Sequence, residues 1–209
     1  MVLKKKEFRD LYQFKYIPLK KAAEMISRAF HDDPLYAYII PDESDREKYF
    51  PYIFKAYIWY CLQYGEVYAS SSNLEGIALW VPSEFAYITP ERSKECGDDV
   101  FFYRLGKKYL ERLSITSHAN DVHEQLIKEP HTYLLTIAVD PKFQRKGFGR
   151  KLLLPMMEYL DENNLKCYLD TNKESNASYY QNFGFKVLKK FEIENTGILN
   201  WSMLRDPKI

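Results

Sequence analysis

The chain has 209 residues, of which 46% are hydrophobic and 28% are charged, and its formal net charge is +1. This composition allows one packed domain and excludes global disorder. A net charge near zero excludes long-range attraction to nucleic acid or to an anionic membrane, so any anion site is expected to be local.

No segment predicts secretion or a membrane span. The basic cluster in "MVLKKKEFRD" is not followed by an apolar stretch, and the apolar segment 49–65 is interrupted by Lys55 and Gln63. The three cysteines are odd in number and widely spaced, which matches neither a disulfide framework nor a zinc site. We therefore expect a cytoplasmic protein that holds no metal.

The first half of the chain predicts helices and one hairpin. Residues 16–34 predict a short strand and then a helix, and apolar spacing predicts a second helix over 50–65. Residues 67–70 and 77–81 predict two strands joined by a polar turn. From there to Pro130 the pattern is mostly helical, so we expect residues 85–130 to form a helical insertion.

The second half predicts alternating strands and helices. "HTYLLTIAV" predicts a central strand because it is apolar on both faces. After a glycine turn come a helix to about residue 163, the strand "LKCYLDT", a short helix capped by Ser or Asn, and an antiparallel hairpin. This order predicts an α/β (α+β) fold with a mixed sheet, and the length predicts a single domain, 1–209.

The glycine turn lies in "AVDPKFQRKGFGRKLL", residues 138–153, between the central strand and a helix. A dinucleotide fingerprint is excluded because Leu152 stands where the third glycine is required, and a P-loop is excluded because the chain has no Gly-Lys-Ser/Thr. The remaining Q-x-x-G-x-G pattern predicts exposed amides at a helix N-terminus, which can bind a phosphate. The alternative is a glycine turn with solvated basic residues.

Two motifs of this half resemble those of a known family. "VDPKFQRKGFGRKLL" resembles the acetyl-CoA pyrophosphate motif of the GNAT superfamily of N-acetyltransferases, and "NASYYQNFGF" resembles the N-x-x-x-Y-x-x-x-G-F motif that follows it. "HTYLL", "LLLP", "LDT", "WSMLR" and, near the start, "AFHDDPLYAYIIPD" and "LWVP" are similar to its puromycin N-acetyltransferase-like branch. The resemblance implies a GNAT-like, mostly antiparallel central sheet flanked by helices, with 131–205 as the acetyl-CoA-binding core. Asp170 stands where this branch usually has Glu, and Arg145 where glycine is frequent.

The resemblance implies direct transfer of the acetyl group of acetyl-CoA, as co-substrate, to a primary amine of a small molecule. The pantetheine arm would pair with Ile137, Ala138 and Val139, and Tyr180 would give a proton to the CoA sulfur. Asn176 would bind the pantetheine or CoA, cap its helix, or do both. The residues whose backbone amides would bind the pyrophosphate are Gln144, Arg145, Lys146, Gly147, Phe148, Gly149 and Arg150.

The general base stays open. Glu84, directly after the "LWVP" strand, is the preferred candidate, and Asp33, His31 and His131 are the others. Deprotonation through water is an equal alternative. Asp170 matters only if the carboxylate at its position has a catalytic role.

The high aromatic content, 16%, predicts an apolar pocket for the acceptor. The aromatic helix over 49–64 has more aromatic residues than one buried face can hold, since Trp59 and Tyr60 lie off that face. We therefore expect part of this helix to wall the pocket together with the 85–130 helices. Alternatives are a protein or peptide N-acetyltransferase and a non-catalytic CoA-binding regulatory module. A homodimer is a further alternative that the resemblance leaves open.

Overall fold

A computed structural model describes residues 8–13 and 17–208. Three helices precede the sheet: α1 (Leu19–Ala29), α2 (Pro34–Ile39) and α3 (Glu43–Tyr64). Strands β1 (Glu66–Ala69) and β2 (Gly76–Pro82) follow, and then α4 (Pro90–Cys96), α5 (Asp99–Tyr103), α6 (Gly106–Leu113) and α7 (Thr116–Leu126). The last part contains β3 (His131–Val139), α8 (Phe148–Glu162), β4 (Lys166–Thr171), α9 (Glu174–Gln181), β5 (Lys186–Glu192) and β6 (Leu199–Arg205).

The six strands form one sheet in the order β1-β2-β3-β4-β6-β5. Every neighbouring pair is antiparallel except β3 and β4, which are parallel. Both faces are covered, because α1 and α3 pack their apolar residues on one face and α8 packs on the other. The prediction of a mixed, mostly antiparallel sheet flanked by helices is confirmed.

The sheet opens at its centre, between β3 and β4. Their parallel pairing extends only from His131 to Tyr133 on β3, so residues 134–139 have no strand partner on that side in the described chain. β2 pairs with β3 on both sides of Leu135 but skips this residue, which makes Leu135 a β-bulge. A bulge bends its strand and increases the local twist, which helps β3 to leave β4.

Two details differ from the sequence analysis. Residue 16 of the predicted first strand lies outside the described residues, and Ile17 and Pro18 are not in a strand because Pro18 is the N-cap of α1. The N-cap of α9 is Lys173 rather than a Ser or Asn. Within the described chain no helix has both the length and the apolar character needed to cross a membrane.

Candidate active site

A cavity of about 690 Å³ lies at the opening between β3 and β4. Residues 134–137 of β3 and 169–171 of β4 line it, directly after the point where the pairing of the two strands stops. α9 contributes Asn176 and Tyr180, and β6 contributes Asn200. The opposite wall comes from α2, α3 and the helices α4 to α7, so both halves of the chain meet at this cavity.

The turn before α8 presents unpaired backbone amides. The first helical hydrogen bond there runs from the Lys151 N–H to the Gly147 carbonyl, 2.9 Å. The amides of Phe148, Gly149 and Arg150 precede it and therefore have no helical acceptor. No side chain of the described residues caps this end. The helix dipole adds partial positive charge at the same place, so the turn can bind an anion such as a phosphate.

Three residues give the turn its shape for different reasons. Arg145 and Gly147 both have left-handed φ angles, 61° and 86°, a region that glycine adopts at less cost than other residues. The left-handed conformation of Arg145 thus explains why glycine is frequent at this position in the sequences that the chain resembles. Gly149 is required by space, because an added Cβ would lie 3.0 Å from the Tyr179 hydroxyl oxygen.

The far part of β3 offers a free backbone edge to the same cavity. Ile137, Ala138 and Val139 pair with β2 on one side and with no described strand on the other. Ile137 lines the cavity, and the Gln144 side chain donates to the Val139 carbonyl at 3.2 Å. An extended ligand that carries amide groups can therefore pair with this edge as an additional strand would.

Tyr180 and Asn176 of α9 both present polar groups to the cavity. Tyr180 is 8% exposed, and burial raises its pKa well above the ordinary range of tyrosine, so its hydroxyl keeps its proton at neutral pH. Asn176 lies inside the first turn of α9 and does not cap the helix, so the capping alternative is wrong. Neither side chain makes a hydrogen bond to another residue of the described chain, which leaves both for a ligand.

Asp170, near the end of β4, places a carboxyl group in the cavity. The Ser202 hydroxyl donates to its Oδ1 at 2.7 Å, and the Tyr168 hydroxyl donates to the same oxygen at 3.3 Å. Burial raises the pKa of Asp170 to about 7, although these hydrogen bonds act in the opposite direction. A carboxyl group with this pKa can take up a proton and release it near neutral pH. In the sequence, the signal for this residue is a single acidic side chain near the end of an apolar strand, which does not distinguish it from other strand-end acids.

The structure does not place Glu84 with this group. Glu84 is exposed, lies in the 3₁₀ turn Ser83–Phe85 and lines a second cavity of about 600 Å³ instead. The chain leaves the sheet at Pro82, the end of β2, and only the residues after this turn, beginning with Ala86, line the central cavity. Of the four candidate bases, only Asp33 lines the central cavity, where it caps α2 by accepting from the Leu35 N–H at 3.1 Å. Burial raises the pKa of Asp33.

The two histidine candidates have other contacts. His131 Nδ1 donates to the Glu129 carbonyl at 2.7 Å, and its Nε2 lies 2.7 Å from Nε2 of His123. Because the carbonyl can only accept, His131 Nε2 is the acceptor and His123 the donor. Burial lowers both pKa values, that of His123 to about 3, so the pair is neutral. His31 does not line the central cavity, and its Nδ1 lies 2.9 Å from Oδ1 of Asp32.

The prediction that part of the aromatic helix walls the central cavity holds for Tyr57 and fails for Trp59 and Tyr60. The Trp59 indole donates to the Cys96 carbonyl at 2.8 Å, and the Tyr60 hydroxyl donates to the Phe85 carbonyl at 3.0 Å. Neither lines the central cavity, whereas Tyr57 of the same helix does. The described residues contain no group of three or more His, Cys, Asp or Glu side chains that could hold a metal ion.

A family model and a related protein both match this chain, and both are described as acetyltransferases. A family model described as "Acetyltransferase (GNAT) family" matches residues 80–185. A protein of Schizosaccharomyces pombe described as an uncharacterized N-acetyltransferase is 28% identical over 201 residues, which cover 90% of this chain and 80% of the relative.

Two solved structures share the fold. One is a Corynebacterium glutamicum protein named "histone acetyltransferase HPA2 and related acetyltransferase", with a TM-score of 0.67 at 19% identity over 95% of this chain and 96% of that one. The other is arylalkylamine N-acetyltransferase 2 from Aedes aegypti, with a TM-score of 0.54 at 14% identity over 94% of this chain and 99% of that one. At these identities the likeness extends to the fold alone.

Proposed function

Because this chain belongs to the GNAT family of acetyltransferases, we propose that it acetylates the primary amine of a small molecule with an aromatic or apolar body. Acetyl transfer to an amine is the general chemistry of the family. The observation that carries the finer proposal is the shared cavity, in which Asp170 and Tyr180 face the same space as an aromatic wall. The likeness to a puromycin N-acetyltransferase-like branch stays a prediction.

The described residues fit acetyl-CoA as co-substrate, which supplies the activated acetyl thioester. The unpaired amides of Phe148, Gly149 and Arg150 would hold the pyrophosphate at the positive end of the α8 dipole. The free edge of β3 over 137–139 would pair with the amides of the pantetheine arm, and the Asn176 side chain would add a polar contact. Of these groups, Ile137 and Asn176 line the central cavity.

Three groups of the chain would then act on the reacting atoms. Asp170 would accept a proton from the amine, and its pKa of about 7 leaves it largely ionised at slightly alkaline pH. A backbone N–H on the free edge of β3 would donate to the thioester oxygen as that oxygen gains charge. Tyr180 would give its proton to the departing sulfur, and its raised pKa means only that the hydroxyl is protonated before this step.

The wall opposite these groups sets the proposed acceptor class. It carries the aromatic side chains of Tyr36, Tyr57 and Phe102, and Tyr133 of β3 adds a further ring beside Asp170. Residues of the predicted 85–130 insertion cover this side of the cavity, which favours a small molecule over an extended peptide. Aromatic faces stabilise apolar and cationic groups alike, so an amine on an aromatic or apolar body fits.

The test is an acetyl-transfer assay with acetyl-CoA against arylalkylamines, aliphatic diamines and peptides with free N-termini. We expect turnover of the arylalkylamines, and a loss of about 10²-fold or more in kcat for Asp170→Asn. Glu84→Gln is the matched control, because it removes a carboxylate outside the central cavity and should leave kcat unchanged.

Each alternative function has its own outcome in this assay. Preferential turnover of peptides would replace the small-molecule proposal with a protein or peptide N-acetyltransferase. Calorimetric binding of acetyl-CoA without turnover of any amine would indicate a regulatory CoA-binding module. Absence of acetyl-CoA binding would contradict the assignment of the α8 turn.

A further inference from the structure

Asn200 of β6 has a hydrogen-bonding atom that the fold does not use. Its side chain is 1% exposed and lines the central cavity, and its Oδ1 has no hydrogen-bond partner among the described residues. The Asn200 amide also lies near Asp170 and lowers the pKa of this carboxyl group, which is the effect of a nearby donor. Since a carboxylate only accepts, the Nδ2 of Asn200 faces Asp170 and Oδ1 is the atom that is left over.

A buried acceptor without a partner costs free energy, and such atoms are rare in folded proteins. The unpaired Oδ1 of Asn200 therefore indicates a ligand that brings an N–H or O–H donor to this point, beside Asp170.

We propose that Asn200 Oδ1 accepts a hydrogen bond from the nitrogen of the acceptor amine and thereby makes the enzyme select primary over secondary amines. The inference rests on the proposed function and names a specificity-determining residue for it. The two polar groups divide the hydrogens of the nitrogen between them: Asp170 receives the one that leaves, and Asn200 holds the one that stays.

The bonds that form and break in the reaction show why the two hydrogens of the nitrogen go to different groups. A neutral primary amine has two N–H bonds and one lone pair. The lone pair forms the C–N bond with the thioester carbon, the C–S bond breaks, one nitrogen-bound proton goes to Asp170, and the sulfur takes the proton of Tyr180. The second N–H remains in the product amide, so it is available to Asn200 throughout.

A secondary amine has only one N–H, which Asp170 must take. Asn200 Oδ1 would then stay buried without a donor, and the nitrogen's extra carbon substituent would occupy its place. Sites built to satisfy a buried polar atom reject analogues that lack the partner group. We expect the preference for the primary amine to be about 10- to 100-fold in kcat/KM, the range that an unmet buried hydrogen bond produces.

The experiment compares 2-phenylethylamine with N-methyl-2-phenylethylamine at saturating acetyl-CoA. Asn200→Leu removes the contact to Asp170 for both amines, but it should lower kcat/KM for the primary amine about 10- to 100-fold more than for the secondary amine, so the preference disappears. Asn120→Leu, which changes an Asn of α7 in the same cavity, should keep the preference. Equal losses for both amines in Asn200→Leu would overturn the inference.

A second variant keeps the test informative if Asn200→Leu folds poorly. Asn200→Asp retains an oxygen acceptor, so it should retain the preference for the primary amine, while repulsion from Asp170 shifts the alkaline rise of kcat/KM to higher pH. Loss of the preference in this variant, or its absence in the unmodified enzyme, would overturn the inference alone. Binding of acetyl-CoA without turnover of any primary amine would contradict the proposed function together with it.

Discussion

Replacement of Asp170 by Asn should reduce activity and, above neutral pH, make the protein more stable. The pKa of this carboxyl group rises from 3.8 to about 7 on folding, chiefly because of burial. A shift of about three units corresponds to about 4 kcal/mol of unfavourable free energy for the charged form in the folded state. The asparagine side chain has nearly the same shape as that of aspartate and carries no charge, so the variant would avoid this cost.

The sign of this stability change follows from the linkage between protonation of Asp170 and folding. Because the folded-state pKa of Asp170 is raised, its favourable contribution is fully present below about pH 4 and is lost as the pH rises to about 7. At pH 8.5 we expect Asp170→Asn to increase the free energy of unfolding by about 1–3 kcal/mol, since weaker hydrogen bonds from Ser202 and Tyr168 offset part of the gain. At pH 4 the two proteins should be nearly equal.

Urea unfolding at several pH values measures the difference in free energy of unfolding between the variant and the unmodified protein. Asp161→Asn is the control, because it should change this free energy in the opposite direction. Asp161 accepts from the buried Arg205 at 2.6 Å, and this hydrogen bond holds its pKa below the usual range. Its contribution is therefore present at neutral pH and lost as the pH falls through its folded-state pKa. Asp161→Asn should destabilise the protein at pH 8.5. An equal loss of stability for Asp170→Asn at pH 4 and pH 8.5 would refute the reasoning.

Three further predictions concern the turn and the tyrosines. Tyr180→Phe should lower kcat by about 10- to 100-fold with unchanged acetyl-CoA affinity by calorimetry, and weaker binding would contradict a role confined to proton donation. Gly149→Ala should lower the melting temperature because its Cβ meets the Tyr179 hydroxyl, and Tyr179→Phe in the same chain should restore most of the loss. An added Cβ at Gly147 would meet no other atom, but the φ of 86° is unfavourable for alanine. Gly147→Ala should therefore lower the free energy of unfolding by about 1 kcal/mol, whether residue 179 is Tyr or Phe, and chemical denaturation measures this loss.

Much of the fold was predictable because it depends on local patterns. Apolar periodicity and turn residues identified the helix α3, the β1–β2 hairpin and the final hairpin, and the glycine turn identified the start of α8. The cavity also contains Tyr180, Asn176 and Ile137, which the motifs had singled out. These residues were accessible to sequence reasoning since the spacing within one motif fixes which face of a short element they share.

The carboxyl group that we propose as the base was not predictable in the same way. Glu84 and Asp170 are both acidic residues near the ends of strands, and nothing local distinguishes them. Asp170 faces the cavity because β3 leaves β4 after Tyr133, and this separation depends on pairing between distant segments and on a bulge at Leu135. The raised pKa of Asp170 has the same origin, because burial by several elements is not visible in the sequence.

The unpaired part of β3 joins the two halves of the proposed chemistry. A central strand that loses its neighbour leaves N–H and C=O groups without partners, which a fold would normally avoid. Here the same separation uncovers the free edge over 137–139 and admits Asp170 and Tyr180 to the cavity. A ligand that pairs with that edge would supply the missing strand contacts and would lie between the two groups. Binding of such a ligand would therefore offset the free-energy cost of the unpaired backbone groups in β3. The proposed site would be complete only when the ligand pairs with this edge.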